Sequence, residues 1–437
     1  MSKGTYSATQ FQVWFSGRRR HKLTGQHLIV GVDVGKLAFY ACLMTSSSGP
    51  YEVLYFERHE IPEFVESLAS LDFEEVSIVV EPTGTYGDVL IDQARQAGFA
   101  IERINGAQVN AARNAFDGVK SLHDGKSAHL LATLYFFKAS REWRDFDPEL
   151  ADLRAMYDLD RHLARLDELF LGPLEARIAR HWPELTNYLS LGSATLLELL
   201  SEYGGPRQVA ENATEAAQLM RRTGRGQLKA EKIQAVIASA KAPMTREMRE
   251  EERVVLKYLA STLREHQRKT REIRALQEKV IREHEYTRDL ASFVGVRTAL
   301  VLVALLGPLT NYDSVEKLEK AAGLMLQSKS SGLTAEARHG NPERMKISKR
   351  GPGHVRGVLF LFVMRLLKDP ESGGCPYTRA WYEQRLARNG GYGMKGLTAL
   401  MRKMVRAVWW VARGEEYDGR KLFDVKRLQR AGFLANG

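Results

Sequence analysis

The chain has 437 residues, 44% of them hydrophobic and 27% charged, a composition typical of a folded globular protein of about two or three domains. Lysine and arginine outnumber aspartate and glutamate by 64 to 53, which gives a net charge of +11 and points first to nucleic acid as a partner, although an ordinary basic enzyme has the same balance. The two cysteines, Cys42 and Cys375, form no disulfide framework and no zinc spacing, and no apolar run reaches membrane-spanning length. These features exclude a disulfide-rich secreted scaffold and predict a cytoplasmic protein without a membrane partner.

Residues 1–24 contain an aromatic patch followed by a basic run at 18–22. They lack the apolar core and the cleavage site of a signal peptide. We therefore predict a flexible basic tail, in which Arg18, Arg19 and Arg20 are candidate contacts to nucleic-acid phosphates.

The segment 25–142 alternates between strand and helix patterns. Runs rich in β-branched residues predict strands at 27–34, 38–44 and 51–57, at 76–80 and at 100–104. The turns between the first three strands are short, so these strands form an antiparallel meander. Helical spacing at 61–71, 87–98 and 127–140 accounts for the rest. This element order predicts an α/β domain of the ribonuclease H type.

Three acidic residues stand out in this domain. Asp33 lies in the apolar first strand, where a carboxylate is costly to bury without a partner. Glu81 ends the fourth strand, which lies beside the first in this topology, and Asp124 opens the last helix. Singly, each has an ordinary explanation, as a strand-end acid or a helix N-cap. Together they predict an all-oxygen Mg²⁺ site, and two such ions can stabilise the attacking and leaving oxygens at a phosphodiester.

Residues 143–285 are helical and rich in charge, and we predict a helical or coiled-coil linker. Apolar residues recur at three-four spacing over 153–178 and 244–284. The stretch 266–270 is polar at the seam positions, so a single solvated helix is the alternative to a coiled coil. In either case the segment serves as a spacer or an oligomerisation arm.

Residues 286–437 predict a mainly α-helical domain. The turn around Gly295 exposes backbone N–H groups that hold phosphate in helix-hairpin-helix proteins, although an ordinary turn between helices fits equally well. A Ser-Ser-Gly loop at 330–332 precedes Lys349 and Arg350, an attractive phosphate site in which a serine is a candidate nucleophile. The final helical stretch, 381–418, sets basic residues opposite an apolar stripe, and this basic face is a candidate to track DNA or RNA.

Taken together, these segments resemble the insertion-sequence 110 (IS110) family of DEDD recombinases, which includes the Piv-type DNA invertases. The resemblance covers most of the chain. It rests on the motifs at 31–36, 81–86, Asp124 with 128–132, 294–296, 322–324, 331–332 and 347–351.

The resemblance implies a RuvC-like domain, a coiled-coil linker and a C-terminal transposase domain with a serine nucleophile. Ser331 would attack a DNA phosphodiester and form a covalent phosphoserine, near Mg²⁺ held by the three acids. Members of the family recombine donor and target DNA, guided by a structured noncoding bridge RNA. They act as tetramers in the bacterial cytoplasm, at the nucleoid, with the serine of one subunit meeting the acids of another. The candidate nucleic-acid contacts are Lys36, Lys349, Arg350 and Arg356, besides the tail arginines.

One position departs from the family pattern. The family's fourth acid falls at position 127, where this chain has Ser127. A neutral hydroxyl is a weak Mg²⁺ ligand, so the affinity for the metal should fall. Three explanations are open: an attenuated or domesticated recombinase, an engineered inactive form, or a site in which three acids and DNA phosphate oxygens suffice. A Piv-like site-specific invertase and a non-catalytic nucleic-acid-binding derivative are the alternative functions.

Overall fold

The computed structural model of the protein describes residues 8–17, 23–82, 84–116, 123–143, 148–242, 247–327, 346–369, 371, 373–388 and 393–435. Ser331 and the tail arginines Arg18, Arg19 and Arg20 lie outside these residues, so their roles rest on the sequence alone. The chain divides into two compact units, Met1–Asp145 and Phe146–Gly437. Among the helices described, none has the length and apolar character needed to cross a membrane.

The first unit is built on a mixed β-sheet. In its described part the strands are β1 (Thr9–Gln10), β2 (His27–Val34), β3 (Ala38–Met44), β4 (Tyr51–Glu57), β5 (Glu75–Val80), β6 (Ala100–Arg103) and β7 (Arg141–Glu142), in the spatial order β1-β4-β3-β2-β5-β6-β7. Strands β2, β3 and β4 are antiparallel neighbours, whereas β5 pairs parallel to β2, and β6 parallel to β5. The predicted antiparallel meander and the α/β character of this unit are confirmed.

Helices cover both faces of this sheet, and the described ones are α1 (Phe11–Ser16), α2 (Ile61–Ala69), α3 (Asp88–Gln96), α4 (Gly106–Phe116) and α5 (Asp124–Phe136). Successive residues of a strand point to opposite faces. Leu28, Val30 and Val32 of β2 therefore pack in one apolar core with α1, α2 and α3. Ile29 packs in the other core, with α4 and α5. The same alternation puts Asp33 on the α5 side.

The prediction of a flexible tail is wrong for residues 9–16. These residues form β1, which pairs parallel to β4, and α1. Phe11 and Trp14 of α1 are buried, and the Phe11 ring meets Phe64 edge to face at 5.7 Å between centroids. The aromatic patch belongs to the core of the unit, because burying these rings removes a large apolar surface from water.

The second unit is mainly helical. Its described elements are α6 (Pro148–His181), α7 (Leu185–Tyr188), α8 (Ala194–Tyr203), α9 (Pro206–Glu211), α10 (Ala213–Thr223), α11 (Ala230–Lys241), α12 (Glu250–Glu283), α13 (Arg288–Val294), α14 (Val296–Leu306), α15 (Val315–Ala321), the strand pair β8 (Leu326–Gln327) and β9 (Lys346–Ile347), and α16 (Gly353–Leu366), α17 (Pro376–Arg388), α18 (Gly393–Val411), α19 (Gly419–Leu422) and α20 (Val425–Arg430). One apolar core joins α7–α11 to parts of α6 and α12. A second core joins the helices from α13 onward to the other parts of α6 and α12. The predicted linker and C-terminal domain thus share one compact unit.

The long helix α12 packs antiparallel to α6. His266 Nε2 donates to the Leu163 carbonyl at 3.1 Å, and Gln277 Nε2 donates to the Met156 carbonyl at 3.2 Å. Thr270, between them, is 2% exposed. The polar residues of the seam therefore face a helix of the same chain, and the alternative of a single solvated helix is wrong.

Candidate active site

A close contact between β2 and α5 positions Asp33. A Cβ built at Gly31 would lie 2.3 Å from the Ala128 carbonyl oxygen and 2.4 Å from the Ala132 nitrogen. Only glycine permits so short an approach between a strand and a helix. Asp33 follows two residues later on the same face of β2, and its carboxylate accepts a hydrogen bond from the Ser127 hydroxyl in the first turn of α5.

The other two acids reach the same region from neighbouring elements. Glu81 directly follows β5, whose last residue, Val80, is in register with Val32 of β2. A Cβ at Gly106, where α4 begins, would lie 2.4 Å from Glu81 Oε1, so this glycine makes room for the carboxylate. Asp124 is the first residue of α5 and not its N-cap, which is the preceding histidine. The N-cap interpretation of Asp124 is therefore not what the structure shows.

The three carboxylates interact electrostatically. Burial raises the pKa of Asp33 from 3.8 to about 6, with further increases from the charges of Asp124 and Glu81. Arg113 and the hydrogen bond from Ser127 act in the opposite direction and lower it. The structure thus brings the three predicted acids and Ser127 into one site, and negative charge is in excess there.

Arg113, on α4, was missed by the sequence analysis. Its Nη2 lies 4.0 Å from Glu81 Oε2, and its Nη1 donates to Asn110 Oδ1 at 3.1 Å. No local motif surrounds it, because its proximity to the acids arises from the packing of α4 and not from its neighbours in the chain. No pattern in the sequence would have identified it.

The acids suit a divalent cation in chemistry and charge. Carboxylate oxygens are the ligands that Mg²⁺ prefers. Burial raises the pKa of Asp33, and the charges of Asp124 and Glu81 raise it further, so a cation beside these acids would be favoured. Asp33, Glu81 and Asp124 are the residues that would hold the ion. In the described part of the chain, no three acidic, histidine or cysteine side chains lie close enough to hold an ion as they stand.

The two ends of the segment that carries Ser331 are packed against each other. Strands β8 and β9 pair on either side of residues 328–345, which lie outside the described residues. A Cβ at Gly351 would lie 2.0 Å from the Ala321 carbonyl oxygen. Gly323 has a φ of 70°, and its carbonyl accepts from the Lys349 N–H at 3.0 Å. The motifs at 322–324 and 347–351 therefore form one backbone clasp.

Arg356 belongs to this clasp. We predicted it as a nucleic-acid contact, but its Nη1 donates to the Gly351 carbonyl at 2.6 Å and lies 3.5 Å from the Ala322 carbonyl. The guanidinium is engaged with the backbone, so its role here is structural. Lys349 and Arg350 are exposed beside the clasp, as is Lys36 in the turn after β2. These three side chains are free to approach a phosphate.

Two side chains of the basic face predicted on the last long helix are engaged within the unit. Arg402 of α18 donates to Glu319 Oε2 through Nε at 2.9 Å and Nη2 at 2.7 Å. Lys403 donates to the Leu422 carbonyl at 3.1 Å, and its Nζ lies 5.5 Å from the Trp381 ring centre. Burial, together with nearby arginines, lowers the pKa of Lys403. Arg402 and Lys403 serve the packing of this unit and do not form a track for nucleic acid.

Comparison with known proteins agrees with this architecture. The family model DEDD_Tnp_IS110, described as "Transposase", matches residues 30–166, which contain the carboxylate site. A second model, "Transposase IS116/IS110/IS902 family", matches residues 292–373, which contain the clasp. The chain is 23% identical over 412 residues to the "Insertion element IS110 uncharacterized 43.6 kDa protein" of Streptomyces coelicolor, covering 90% of this chain and 96% of that protein.

An acidic site on a mixed sheet, followed by a helical unit that matches a second transposase model, defines the protein as a transposase. Within that class, the chain belongs to the IS110 family. DNA is accordingly its substrate.

Proposed function

We propose that this transposase cuts and rejoins donor and target DNA through a covalent phosphoserine at Ser331. Mg²⁺ would be held by Asp33, Glu81 and Asp124, and a structured noncoding bridge RNA would select the DNA. The observation that carries the proposal is that the charges of Glu81 and Asp124 act on the partly buried carboxylate of Asp33 in a chain of this family.

The chemistry assigned to Ser331 conserves phosphodiester bonds. Its hydroxyl loses a proton as Oγ forms a bond to phosphorus, the bond from phosphorus to one DNA oxygen breaks, and that oxygen takes up a proton and leaves as a hydroxyl, so that protons balance. Attack by a second DNA hydroxyl on the phosphoserine reverses the step and releases the serine. No external energy source is needed, because each bond broken is replaced by one of the same type.

The remaining residues position and neutralise the phosphate. Lys349 and Arg350 are exposed at one end of the segment that carries Ser331, where they would pair with phosphate oxygens. A Mg²⁺ ion, when bound, would supply Lewis-acid stabilisation of charge on the phosphate. The clasp of Gly323, Gly351 and Arg356 would hold both ends of the segment in place.

The assembly remains part of the proposal. The resemblance to the family suggests a homotetramer, nucleoid-associated in the bacterial cytoplasm, in which Ser331 of one subunit serves the acids of another. The proposed role of a guide RNA is tested by purifying the protein with its native nucleic acid and sequencing the RNA that copurifies. A discrete structured RNA encoded beside the gene is the expected result. Random cellular RNA would contradict the role of a guide.

Ser127 favours a second candidate, a catalytically weakened derivative that binds nucleic acid. Its hydroxyl donates a hydrogen bond to Asp33 where the family pattern has an acid. The substitution Ser127→Asp distinguishes the two functions when Mg²⁺-dependent strand exchange is measured. Activity in the unmodified chain supports the recombinase. Activity that appears only in the variant supports the weakened derivative. A Piv-like invertase would instead rearrange a DNA segment between inverted sites, without a flanking RNA.

A further inference from the structure

The side chain of Arg113 approaches the acids from a different helix than Ser127 does. It projects from α4, whereas Ser127 reaches Asp33 from α5. Its side chain is 32% exposed, so its charge is neither deeply buried nor freely solvated. The separation of 4.0 Å between Nη2 and Glu81 Oε2 is that of a loose ion pair, without the short paired bonds of a bidentate salt bridge.

The hydrogen-bonding capacity of this guanidinium is not exhausted. Nη1 donates to Asn110, but Nε is buried and has no hydrogen-bond partner among the residues that the structure describes. A buried N–H without a partner is costly. The loose pair with Glu81 and the unsatisfied Nε together leave a planar donor fork next to the acids, and such a fork matches the oxygens of a phosphate.

The charges of the site favour one divalent cation over two. The carboxylates of Asp33, Glu81 and Asp124 supply three negative charges, and Arg113 removes one. One Mg²⁺ balances the two charges that remain, whereas a second ion would be uncompensated. A two-metal site uses one ion for the attacking oxygen and one for the leaving oxygen. With serine at 127 and arginine at 113, this chain alone, without the charge of a DNA phosphate, lacks the negative charge for that arrangement.

We propose that Arg113 is the second cation of this site, so that the protein binds a single Mg²⁺ and Arg113 contacts a phosphate oxygen of the DNA. This inference rests on the proposed function, because it assigns the acids to metal and the substrate to the same site. When a phosphate enters, the guanidinium exchanges its loose pair with Glu81 for the phosphate oxygens.

Titration of the full-length protein with Mn²⁺, as a paramagnetic substitute for Mg²⁺, tests how many divalent ions each chain binds. The bound ions are followed by electron paramagnetic resonance without nucleic acid. We expect one ion per chain. Arg113→Gln should bind Mn²⁺ about tenfold more tightly, since one charge acts on a divalent ion across several ångströms of largely aqueous medium. Arg113→Lys should stay near the unmodified chain, and so should Arg58→Gln, which neutralises an exposed arginine after β4.

The outcomes separate this inference from the proposed function. Two ions in the unmodified chain, or unchanged affinity in Arg113→Gln, would overturn the inference while leaving a metal-dependent transposase intact. No binding in any folded variant would overturn both the inference and the metal site. Circular dichroism of each variant establishes that it is folded. If Arg113→Gln is unstable, Arg113→Lys still tests the number of ions, because it keeps the positive charge and should also bind one ion per chain.

The phosphate contact is tested separately. Binding of a DNA duplex with the element's end sequence is measured against salt concentration in EDTA. Loss of one phosphate contact reduces the slope of log K against log [salt] by about 1. Arg113→Gln should show this reduction, and Arg58→Gln should not. An unchanged slope in Arg113→Gln would refute the contact.

Discussion

Replacing Asp33 by asparagine should stabilise the first unit at neutral and alkaline pH. The pKa of Asp33 rises from 3.8 to about 6 in the folded protein, chiefly through burial. Each pKa unit corresponds to 1.36 kcal/mol, so keeping Asp33 ionised costs the fold about 3 kcal/mol above pH 6. Asparagine carries no charge, and its amide oxygen still accepts a hydrogen bond from Ser127. The variant should therefore gain up to about 3 kcal/mol at pH 8.

The sign of the pH dependence follows from proton uptake. Between pH 4 and 6 the folded state holds more protons at Asp33 than the unfolded state does. The free energy of unfolding should therefore fall as the pH rises through this window and level off above it. The two proteins should converge near pH 4, where Asp33 is protonated in the folded state. Mg²⁺ should stabilise the unmodified protein more than Asp33→Asn, because the ion compensates the buried negative charge that asparagine lacks.

Hydrogen exchange resolves this effect in a chain with two compact units. Exchange of the amides of β2 and β5 is followed by mass spectrometry from pH 4 to 8 in EDTA, after correction for the intrinsic dependence of exchange on pH. Asp92→Asn, at an exposed position of α3, is the matched control and should leave the profile unchanged. A gain that appears at pH 4 and vanishes at pH 8 would refute the reasoning, and so would identical profiles.

Three further substitutions test the packing. The methyl group of Gly31→Ala would push β2 away from α5. It should lower the free energy of unfolding by about 3 kcal/mol or more and lower the thermal midpoint of the first unit. An unchanged midpoint would mean that the close contact is absent. Glu319→Ala leaves Arg402 unpaired in a partly buried position and should lower the free energy of unfolding, measured by urea denaturation, by about 2 kcal/mol. Adding Arg402→Met should recover part of this loss. Strictly additive effects of the two substitutions would argue against the ion pair. In Arg356→Lys, the ammonium group cannot reproduce the hydrogen bonds of the guanidinium to the backbone of the clasp. The amide hydrogens of residues 346–351 should therefore exchange faster with solvent. Equal exchange rates would mean that Arg356 does not hold the clasp.

The sheet could be predicted closely because its signals are local. The strands at 27–34, 38–44 and 51–57 are β-branched or aromatic runs bounded by turn residues, and the structure has the same boundaries. The meander follows from the short turns. The convergence of Glu81 on Asp33 follows from the parallel pairing of β5 with β2, which the element order implied.

The partners that the long basic side chains contact could not be predicted from local sequence patterns. Arg113 faces the acids, whereas Arg356 and Arg402 bind a carbonyl and a carboxylate within their own unit. All three are arginines on helices, and their destinations depend on tertiary packing that no local pattern encodes. The aromatic residues of α1 show the same limit: the basic run beside them dominates the composition of that stretch and predicts a tail, whereas the structure buries them in a helix.

The central claim is that Ser331 becomes covalently bound to DNA. Its most direct test is a suicide DNA substrate, nicked so that the leaving strand escapes, incubated with the protein, Mg²⁺ and the RNA that copurifies with it. A slowly migrating protein–DNA adduct should form, and mass spectrometry after nuclease digestion should locate the phosphate on Ser331. Ser331→Ala should abolish the adduct, whereas the neighbouring Ser330→Ala should retain it. An adduct that persists in Ser331→Ala, or no adduct in the unmodified protein under these conditions, would contradict the claim.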